Sequence, residues 1–474
     1  MSSIIETHLA QLTGNTTEAE VSKPADLLLP APPPAESLEV FYETDEPKEK
    51  DFADALEARL PECRTQGKVW YVDDGKRWKI TDWNIFRPLA QAILPPDYRT
   101  AYREKQILAH LEGRFQVAAE NLCGAIKFCE SSGDVLLNVN NGVLRVNREE
   151  PILEPHNSTH GFTQVLAADF DKDAVCETFD RVLKESLPDE QDQLSFKINI
   201  GNLLYPSSKF ETSLVCHGAA GTGKSTIAEA VSNVFGSELV TRLSLAQVCD
   251  TKSYALPKLQ YALTNLGTEL DALGVEESGN FKAITSGEPI EVRPIYCAPF
   301  TMKTTAKLWW LANQLPRFKN GTDAEVRRMR FFEFRNKPAQ IDLNLKQKLL
   351  SEQSGILNYV ISGLIRLIAL QKIPFGGADS QRIRGRFAIN NDPIGQFVGG
   401  QCKLGAEVWT PKDRLYQAYQ DFCDDNGFSQ EKMNDTWFFR KLLDQFAVEC
   451  TRRTVNGQLS RIITGIDLAT ICPF

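Results

Sequence analysis

The chain of 474 residues has little of what several protein classes require. Its eleven cysteines include no C-x-x-C pair and there are only five histidines, so the sequence predicts reduced, buried thiols and no zinc site. No stretch approaches about 18 consecutive apolar residues, which argues against a membrane span or a membrane partner. The amino terminus lacks a basic start followed by an apolar block, so no secretory signal is predicted. We therefore expect a soluble, cytoplasmic protein.

The composition is that of an ordinary globular protein. Hydrophobic residues make up 42% of the chain and charged residues 24%, which excludes a wholly disordered or collagen-like protein. The formal net charge of -9 argues mildly against a basic protein that coats nucleic acid. Because net charge describes only the average surface, a local basic track inside a groove or ring stays compatible with it.

Shifts in composition and periodicity divide the chain into five regions. Residues 1–65 are Pro-rich and then acidic, which predicts a disordered tail with room for a helix in its second half. Residues 66–195 combine helical stretches with hairpins closed by Asp-Gly and Asn-Gly turns, which predicts an α+β module. Residues 196–345 alternate apolar strands with helices, the pattern of an α/β core. Residues 346–395 are predicted to be helical, and residues 396–474 to form a small module of two helices and a hairpin.

A glycine-rich loop carries the clearest chemistry. It fits G-x-x-x-x-G-K-[ST], in which glycines let backbone N–H groups point at phosphate oxygens and a helix start adds partial positive charge. A predicted strand precedes the loop and an amphipathic helix follows, as the motif requires. Lys224 is predicted to contact the terminal phosphates and Ser225 to hold magnesium. The predicted nucleotide-binding residues are Gly218, Ala219, Ala220, Gly221, Thr222, Gly223, Lys224, Ser225 and Thr226.

Two strand ends further along the chain are the candidates for completing this site. A second apolar strand ends at Glu269, whose carboxylate is placed to orient the attacking water; the alternative is a solvated strand-end carboxylate. The position before it, Thr268, lacks the second carboxylate that usually helps to hold magnesium. A third strand, predicted over residues 307–311, delivers Asn313, which we interpret as a sensor of the γ-phosphate in preference to a turn residue.

Two arginines precede a further apolar strand. The planar guanidinium of Arg327 or Arg328 matches phosphate geometry and, supplied across a subunit interface, would accelerate phosphoryl transfer. The sequence does not distinguish which of the two is this finger. The alternative interpretation is a surface ion pair with Asp323 or Glu325.

A predicted hairpin lies between the second and third strands and carries several cations. If it projects into a ring channel, its basic side chains would grip a phosphate backbone. The alternative is an ordinary solvated hairpin face. The predicted DNA-contacting residues, on the hairpin or just before it, are Lys282, Arg293, Lys303 and Lys307.

Taken together, these motifs resemble a known family. The run FKAITSGEPIEVRPIYCAPFTMKTTAKLWWLANQLPRFKNGTDAEVRRMRFFEF resembles the superfamily 3 helicase domain of the poxvirus-type and satellite-phage primase–helicases. Upstream, LLNVNNGVLRVNREEPILEPHNSTHGFTQ is similar to the collar module that precedes this ATPase. Downstream, NDPIGQFVGGQC through FFRKLLDQF resembles its C-terminal winged-helix module. The resemblance covers roughly residues 68–470.

The resemblance implies a fold and an activity. The fold is α/β, with an AAA+-like P-loop core between an N-terminal α+β collar module and a C-terminal winged-helix module. The activity is ATP-driven translocation on single-stranded or forked DNA by a homohexameric ring, with ATP and magnesium as cofactors. It assigns Lys224 and Ser225 to phosphate and magnesium, Glu269 and Asn313 to catalysis, and Arg327 or Arg328 to the finger. The tail leaves no room for a fused primase domain, so a separate primase or polymerase would supply primers.

Two rival functions remain open on the sequence. The first is an AAA+ ATPase that loads, melts or senses DNA in replication initiation or defence without processive unwinding. The second is a small-molecule kinase with a phosphate loop, which the order of hairpin, sensor and arginines disfavours. The leading hypothesis is a helicase that assists replication of a phage, plasmid or integrated mobile element.

Overall fold

The structure, a computed structural model, describes most of the chain. The described residues are 49–94, 99–117, 122–268, 278–316, 318, 323–338, 342–426, 428, 432–455 and 458–469. Glu269, the predicted water-orienting residue, lies outside them, as does the predicted tail up to position 48. The described residues form a mixed α/β fold that contains one parallel sheet.

The N-terminal module begins earlier than its composition suggests. Its first elements are helix α1 (Glu49–Glu57), strands β1 (Cys63–Gln66), β2 (Val69–Asp73) and β3 (Trp78–Thr81), and helices α2 (Arg87–Ile93) and α3 (Ala101–Arg114). Phe52 and Leu56 of α1 pack against Trp70 of β2 in one buried cluster. The predicted end of the tail at residue 65 is therefore too late, because α1 buries a narrow apolar face within a charge-dense sequence.

A second antiparallel sheet completes this module. It contains β4 (Ile126–Phe128), β5 (Val135–Val139), β6 (Gly142–Val146) and β7 (Ile152–Glu154), paired in that order. The Asn-Gly turn joins β5 to β6, and the Asp-Gly turn lies between β2 and β3, as the sequence predicts. Helices α4 (Glu177–Ser186) and α5 (Glu190–Gly201) then lead into the core.

The core is built on a five-stranded parallel sheet with helices and one excursion. Its elements are β8 (Ser213–His217), α6 (Lys224–Phe235), β9 (Val240–Thr241), α7 (Leu245–Cys249), β10 (Thr264–Gly267), α8 (Gly279–Ser286), β11 (Ile290–Val292), β12 (Phe300–Met302), β13 (Lys307–Ala312), α9 (Asp323–Arg328) and β14 (Met329–Glu333). The strand order is β14-β8-β13-β10-β9, and β11 pairs with β12 as a separate hairpin. The strand that precedes the phosphate loop, β8, therefore neighbours the strand that delivers Asn313.

Strand β13 occupies the middle of the sheet, and its sequence accounts for this position. All six of its residues are buried. Trp309 packs in one hydrophobic cluster and Trp310 in another, so the two rings fill opposite faces of the sheet. A central parallel strand covered on both faces reads as a continuous apolar run, as this one does.

Three helices follow the sheet: α10 (Leu345–Ser351), α11 (Gln353–Leu370) and α12 (Ala378–Asn390). Helix α11 packs on α5 and α6. It crosses α5 where a Cβ on Gly363 would lie 2.0 Å from the carbonyl oxygen of Lys197, so the close approach requires glycine. By length and composition α11 alone among the described helices resembles a membrane span, but half of it is buried inside the fold, as in a core helix.

The C-terminal module has its own core. Its elements are α13 (Pro393–Gln401), β15 (Cys402–Pro411), α14 (Lys412–Asp425), α15 (Asp435–Gln445), β16 (Glu449–Val455) and β17 (Gln458–Leu468). The antiparallel sheet has the order β15-β17-β16. Phe397, Tyr419 and Phe438 form the aromatic centre that joins the three helices. The two predicted helices and the hairpin are present; their identification as a winged helix stays a prediction.

Candidate active site

The phosphate loop has a backbone that its glycines make possible. Gly218, Gly221 and Gly223 all have positive φ, at 155°, 81° and 86°. Two of them are also fixed by contact, since a Cβ on Gly218 would meet the Phe334 carbonyl oxygen at 2.1 Å and one on Gly223 would meet the Ser186 hydroxyl at 2.6 Å. The loop is therefore pressed against the segment after β14 and the end of α4, two neighbours that the motif itself does not reveal.

Lys224 begins helix α6 and turns its side chain back into the loop. Its Nζ donates hydrogen bonds to the carbonyl oxygens of Gly218 and Ala219, at 2.6 and 2.8 Å. Burial lowers the pKa of this ammonium below its ordinary value. The ammonium is thus held by neutral acceptors, which an anionic phosphate oxygen would outcompete because charge-assisted hydrogen bonds are stronger.

A cavity of about 240 Å³ opens above the loop and brings together residues that are distant in sequence. Thr268 follows β10 and Asn313 follows β13, and both reach the cavity because parallel strands present their carboxyl ends at one edge. The Gly218 N–H donates to the Ala312 carbonyl at 3.0 Å, which ties the loop to the strand before Asn313. The lining residues are Ala220, Gly221, Thr222, Gly223, Lys224, Ser225, Thr226, Thr268, Leu311 and Asn313.

This donor set fits a triphosphate with magnesium. The loop backbone and Lys224 supply donors, the exposed Ser225 hydroxyl is a hard oxygen ligand of the kind magnesium prefers, and Asn313 adds a neutral polar tip. Thr268 offers only a hydroxyl where a carboxylate is usual. Glu269 is the next residue, but it lies outside the described residues, so its role stays a prediction.

The two arginines differ sharply in their surroundings. The side chain of Arg328 is 8% exposed, and its Nη2 donates to Glu211 at 2.9 Å and to Ser286 at 2.8 Å. The side chain of Arg327 is 63% exposed and forms a longer ion pair with the same carboxylate of Glu211, at 3.5 Å. Arg328 is therefore held inside its own subunit, whereas Arg327 presents its guanidinium to the surroundings. Their shared partner, Glu211, is neither of the acidic residues that the sequence suggested.

Arg327 also lies at the amino-terminal end of its strand, whereas the phosphate loop lies at the carboxyl end of the neighbouring parallel strand. β14 runs parallel to β8, with Met329 beside Ser213 and Glu333 beside His217. The four steps from Met329 to Glu333 span about 13 Å, at ~3.3 Å per residue. Arg327 precedes the first of these residues, and the phosphate loop begins beyond the last, so at least this distance separates them. An arginine side chain does not bridge that separation, so Arg327 does not reach the phosphate loop of its own chain.

The hairpin cations are only partly available to a ligand. Arg293 and Lys303 are exposed on the β11–β12 excursion. Lys282 forms an ion pair with the buried Glu325, at 2.8 Å. Lys307 is only 6% exposed, and its Nζ donates to the carbonyl oxygens of Ser207 and Thr305. The predicted DNA contact of Lys307 is thus wrong for this conformation, because the start of β13 is packed inside the sheet.

The buried Lys307 yields a prediction about pH. Burial lowers its pKa to about 7, whereas the unfolded chain keeps the proton up to about 10.4. The folded state therefore bears the full cost of a buried charge below pH 7, and this cost is relieved as the pH rises from 7 towards 10. We expect Lys307→Met to raise the melting temperature relative to wild type more at pH 6 than at pH 9.

Calorimetry or dye-monitored melting at the two pH values measures this difference. Lys303→Met, at a nearby exposed position, is the control, and its effect should be the same at both pH values. A Lys307→Met effect that does not change with pH would contradict the assignment of a titrating buried ammonium.

Comparison with known proteins gives three family-model matches along the chain. Residues 52–188 match "D5 N terminal like", residues 216–328 match a family of unknown function, DUF5906, and residues 389–457 match "Poxvirus D5 protein-like". No curated protein matches the chain.

Solved structures of the NrS-1 C-terminal region are similar at 13% sequence identity. An A-form apo structure has a TM-score of 0.49 and covers 87% of this chain and 98% of its own. Another apo structure of that region has a TM-score of 0.48, with 89% and 100% covered. The two D5-type family matches lie on either side of the sheet that carries the phosphate loop, so the chain is similar to D5-type proteins in both flanking regions.

Proposed function

We propose that this chain is an ATP-dependent DNA helicase that acts in the replication of a phage, plasmid or integrated mobile element. It hydrolyses ATP between the subunits of a homohexameric ring and translocates on DNA. Its core is then an AAA+-like ATPase of superfamily 3, followed by a winged-helix module.

The proposal depends mainly on one observation: the predicted catalytic groups lie at opposite ends of the strands of one parallel sheet. The phosphate loop, Ser225 and Asn313 share a cavity at one edge. Arg327 is exposed at the amino-terminal end of β14, too far from that cavity for its side chain to reach it. A neighbouring subunit that places its Arg327 against this cavity supplies a positive charge that stabilises the transferring phosphate. Chemistry and assembly are then inseparable.

Magnesium ATP, when bound, supplies the phosphoryl bond whose cleavage drives movement. Lys224 would hold the terminal phosphates, Ser225 would ligate the metal, and Asn313 and Glu269 would orient water. Arg293 and Lys303 on the β11–β12 hairpin are the exposed cations that contact the DNA backbone. The D5-like regions on either side of the core support a role in phage or viral replication.

Native mass measurement with ATP and forked DNA, followed by a strand-displacement assay on the same sample, tests the proposal. We expect a ring of several chains, ATP turnover that rises with assembly and with DNA, and ATP-dependent displacement of one strand. Single chains that hydrolyse ATP at full rate, indifferent to DNA, would contradict it. ATPase stimulated by DNA without strand displacement would instead favour an ATPase that loads, melts or senses DNA.

A further inference from the structure

The β11–β12 hairpin presents an aromatic ring at its tip. Tyr296 is 95% exposed, and Ile295 beside it is also exposed. Aromatic side chains of this size usually bury most of their surface, so packing within the subunit does not explain the ring. Tyr296 is more exposed than Tyr102, which is 69% exposed, and Ile295 extends the apolar surface at the tip, so the tip is a candidate contact with another molecule.

The backbone at the tip is strained in a way that positions the ring. Tyr296 has φ of +59°, and it is the third residue of a turn that the Cys297 N–H closes on the Pro294 carbonyl at 3.2 Å. In a type II turn this position has positive φ and normally holds glycine. A bulky residue there lowers stability, and such strain clusters at ligand-contacting sites.

The tip is also ordered in advance of any contact. The Nε of Arg293 donates to the Cys297 carbonyl at 3.3 Å, and Pro294 at the start of the turn is buried. Because the backbone of the turn is braced, less conformational entropy is lost when the tip binds, which favours binding.

The remaining cations narrow the chemistry of that contact. Lys307 is buried and Lys282 is paired with Glu325. The exposed cations of the hairpin are therefore the guanidinium of Arg293 and the ammonium of Lys303. Arg293 lies three residues before the ring, whereas Lys303 follows β12 at the other end of the hairpin. A cation close to a projecting ring, with a second cation further along the same hairpin, suits a single-stranded nucleic acid, whose phosphates need charge and whose bases need a flat apolar partner. Stacking tolerates any base, because every base has a π-face.

We propose that Tyr296 stacks on a base of single-stranded DNA, so that the hairpin holds the strand through its bases as well as its phosphates. This inference rests on the proposed function and adds to it the mode of contact. A ring that reads no sequence suits a protein that moves along DNA of any composition.

The test compares two oligonucleotides of equal length and charge, an oligo-dT and one with abasic sites throughout. Full-length wild type should bind oligo-dT more tightly. Tyr296→Ala should lower the affinity for oligo-dT by about tenfold, the scale of one stacked base, and leave binding to the abasic strand unchanged. Tyr296→Phe, which keeps the ring, should bind as wild type does. Tyr102→Ala removes a ring that is 69% exposed on the N-terminal module and should have no effect.

Stability separates a contact residue from a structural one. Tyr296→Gly relieves the positive φ, so its melting temperature should equal or exceed that of wild type while oligo-dT binding falls as in Tyr296→Ala. A marked fall in melting temperature would assign the ring to the fold and overturn the proposal.

The other outcomes are equally decisive. Unchanged oligo-dT binding by Tyr296→Ala, or an equal loss on both oligonucleotides, would overturn stacking. If Tyr296→Ala changes the native mass from that of an oligomer to that of a single chain, the aromatic side chain makes a contact between copies. This result would also overturn the proposal of stacking on DNA. If wild type binds oligo-dT and the abasic oligonucleotide equally, the stacking proposal is contradicted but the proposed function is not. If wild type binds neither oligonucleotide, both are contradicted.

Discussion

Replacing Lys224 by alanine is expected to lower ATP turnover by about 100-fold or more. Its Nζ lies at the centre of the phosphate loop, where two carbonyl oxygens hold it in place. Removing this charge leaves the phosphate loop itself with only neutral donors and weakens the stabilisation of charge that develops during transfer. Phosphate release at saturating magnesium ATP measures the loss.

The matched control is Lys172→Ala, which removes an exposed ammonium from a turn in the N-terminal half. Its turnover should equal that of wild type. Melting temperature should be recorded for both variants, because Lys224 also braces the loop. Wild-type turnover by a folded Lys224→Ala protein would show that this loop is not the hydrolytic site.

The second large effect is expected at Arg327 and separates it from its neighbour. Arg327→Ala should leave nucleotide binding and melting temperature close to wild type but lower turnover by about 10³-fold or more, the scale of a lost arginine finger. Arg328→Ala should instead lower the free energy of unfolding by about 2 kcal/mol, because its charge-assisted bonds to Glu211 and Ser286 are lost. Turnover, nucleotide affinity and thermal unfolding of the two variants distinguish these roles.

Mixing two inactive proteins tests whether Arg327 acts on a neighbour. Lys224→Ala subunits lack a working loop but keep Arg327, and Arg327→Ala subunits have the opposite defect. Where they meet in one ring, half of the possible mixed interfaces combine an intact loop with an intact arginine, so the mixture should regain ATPase activity that neither protein has alone. Failure to regain activity, with mixed rings shown by native mass, would place the finger elsewhere.

Local motifs explain why the phosphate loop and the residues that line the cavity above it could be predicted from the sequence. Glycines at 218, 221 and 223 are needed for backbone angles that other residues seldom adopt, so the spacing itself encodes the loop. The apolar run of β13 predicted a buried strand over residues 307–311, and the structure extends it by one residue to Ala312. Asn313 then reaches the cavity because the strand that carries it lies next to β8.

Long-range partners explain what the sequence could not predict. The sequence predicts that Lys307 contacts DNA as a cation of the hairpin, but its Nζ donates to the carbonyl oxygen of Ser207, 100 positions earlier in the chain. Likewise, Arg328 is held by Glu211, 117 positions earlier in the chain, so no local pattern distinguishes it from Arg327. The boundary of the N-terminal module was missed for the same reason, since α1 is stabilised by residues of strands that follow it.

The burial of β13 on both faces limits how force is passed through the subunit. Four residues separate this strand from the hairpin strand β12, and Asn313, which follows its last residue, lines the cavity above the phosphate loop. With Trp309 and Trp310 wedged into opposite layers, it is unable to slide past its neighbours without opening both. Under the proposed function, any movement of the hairpin during ATP turnover would therefore leave β13 fixed within the sheet.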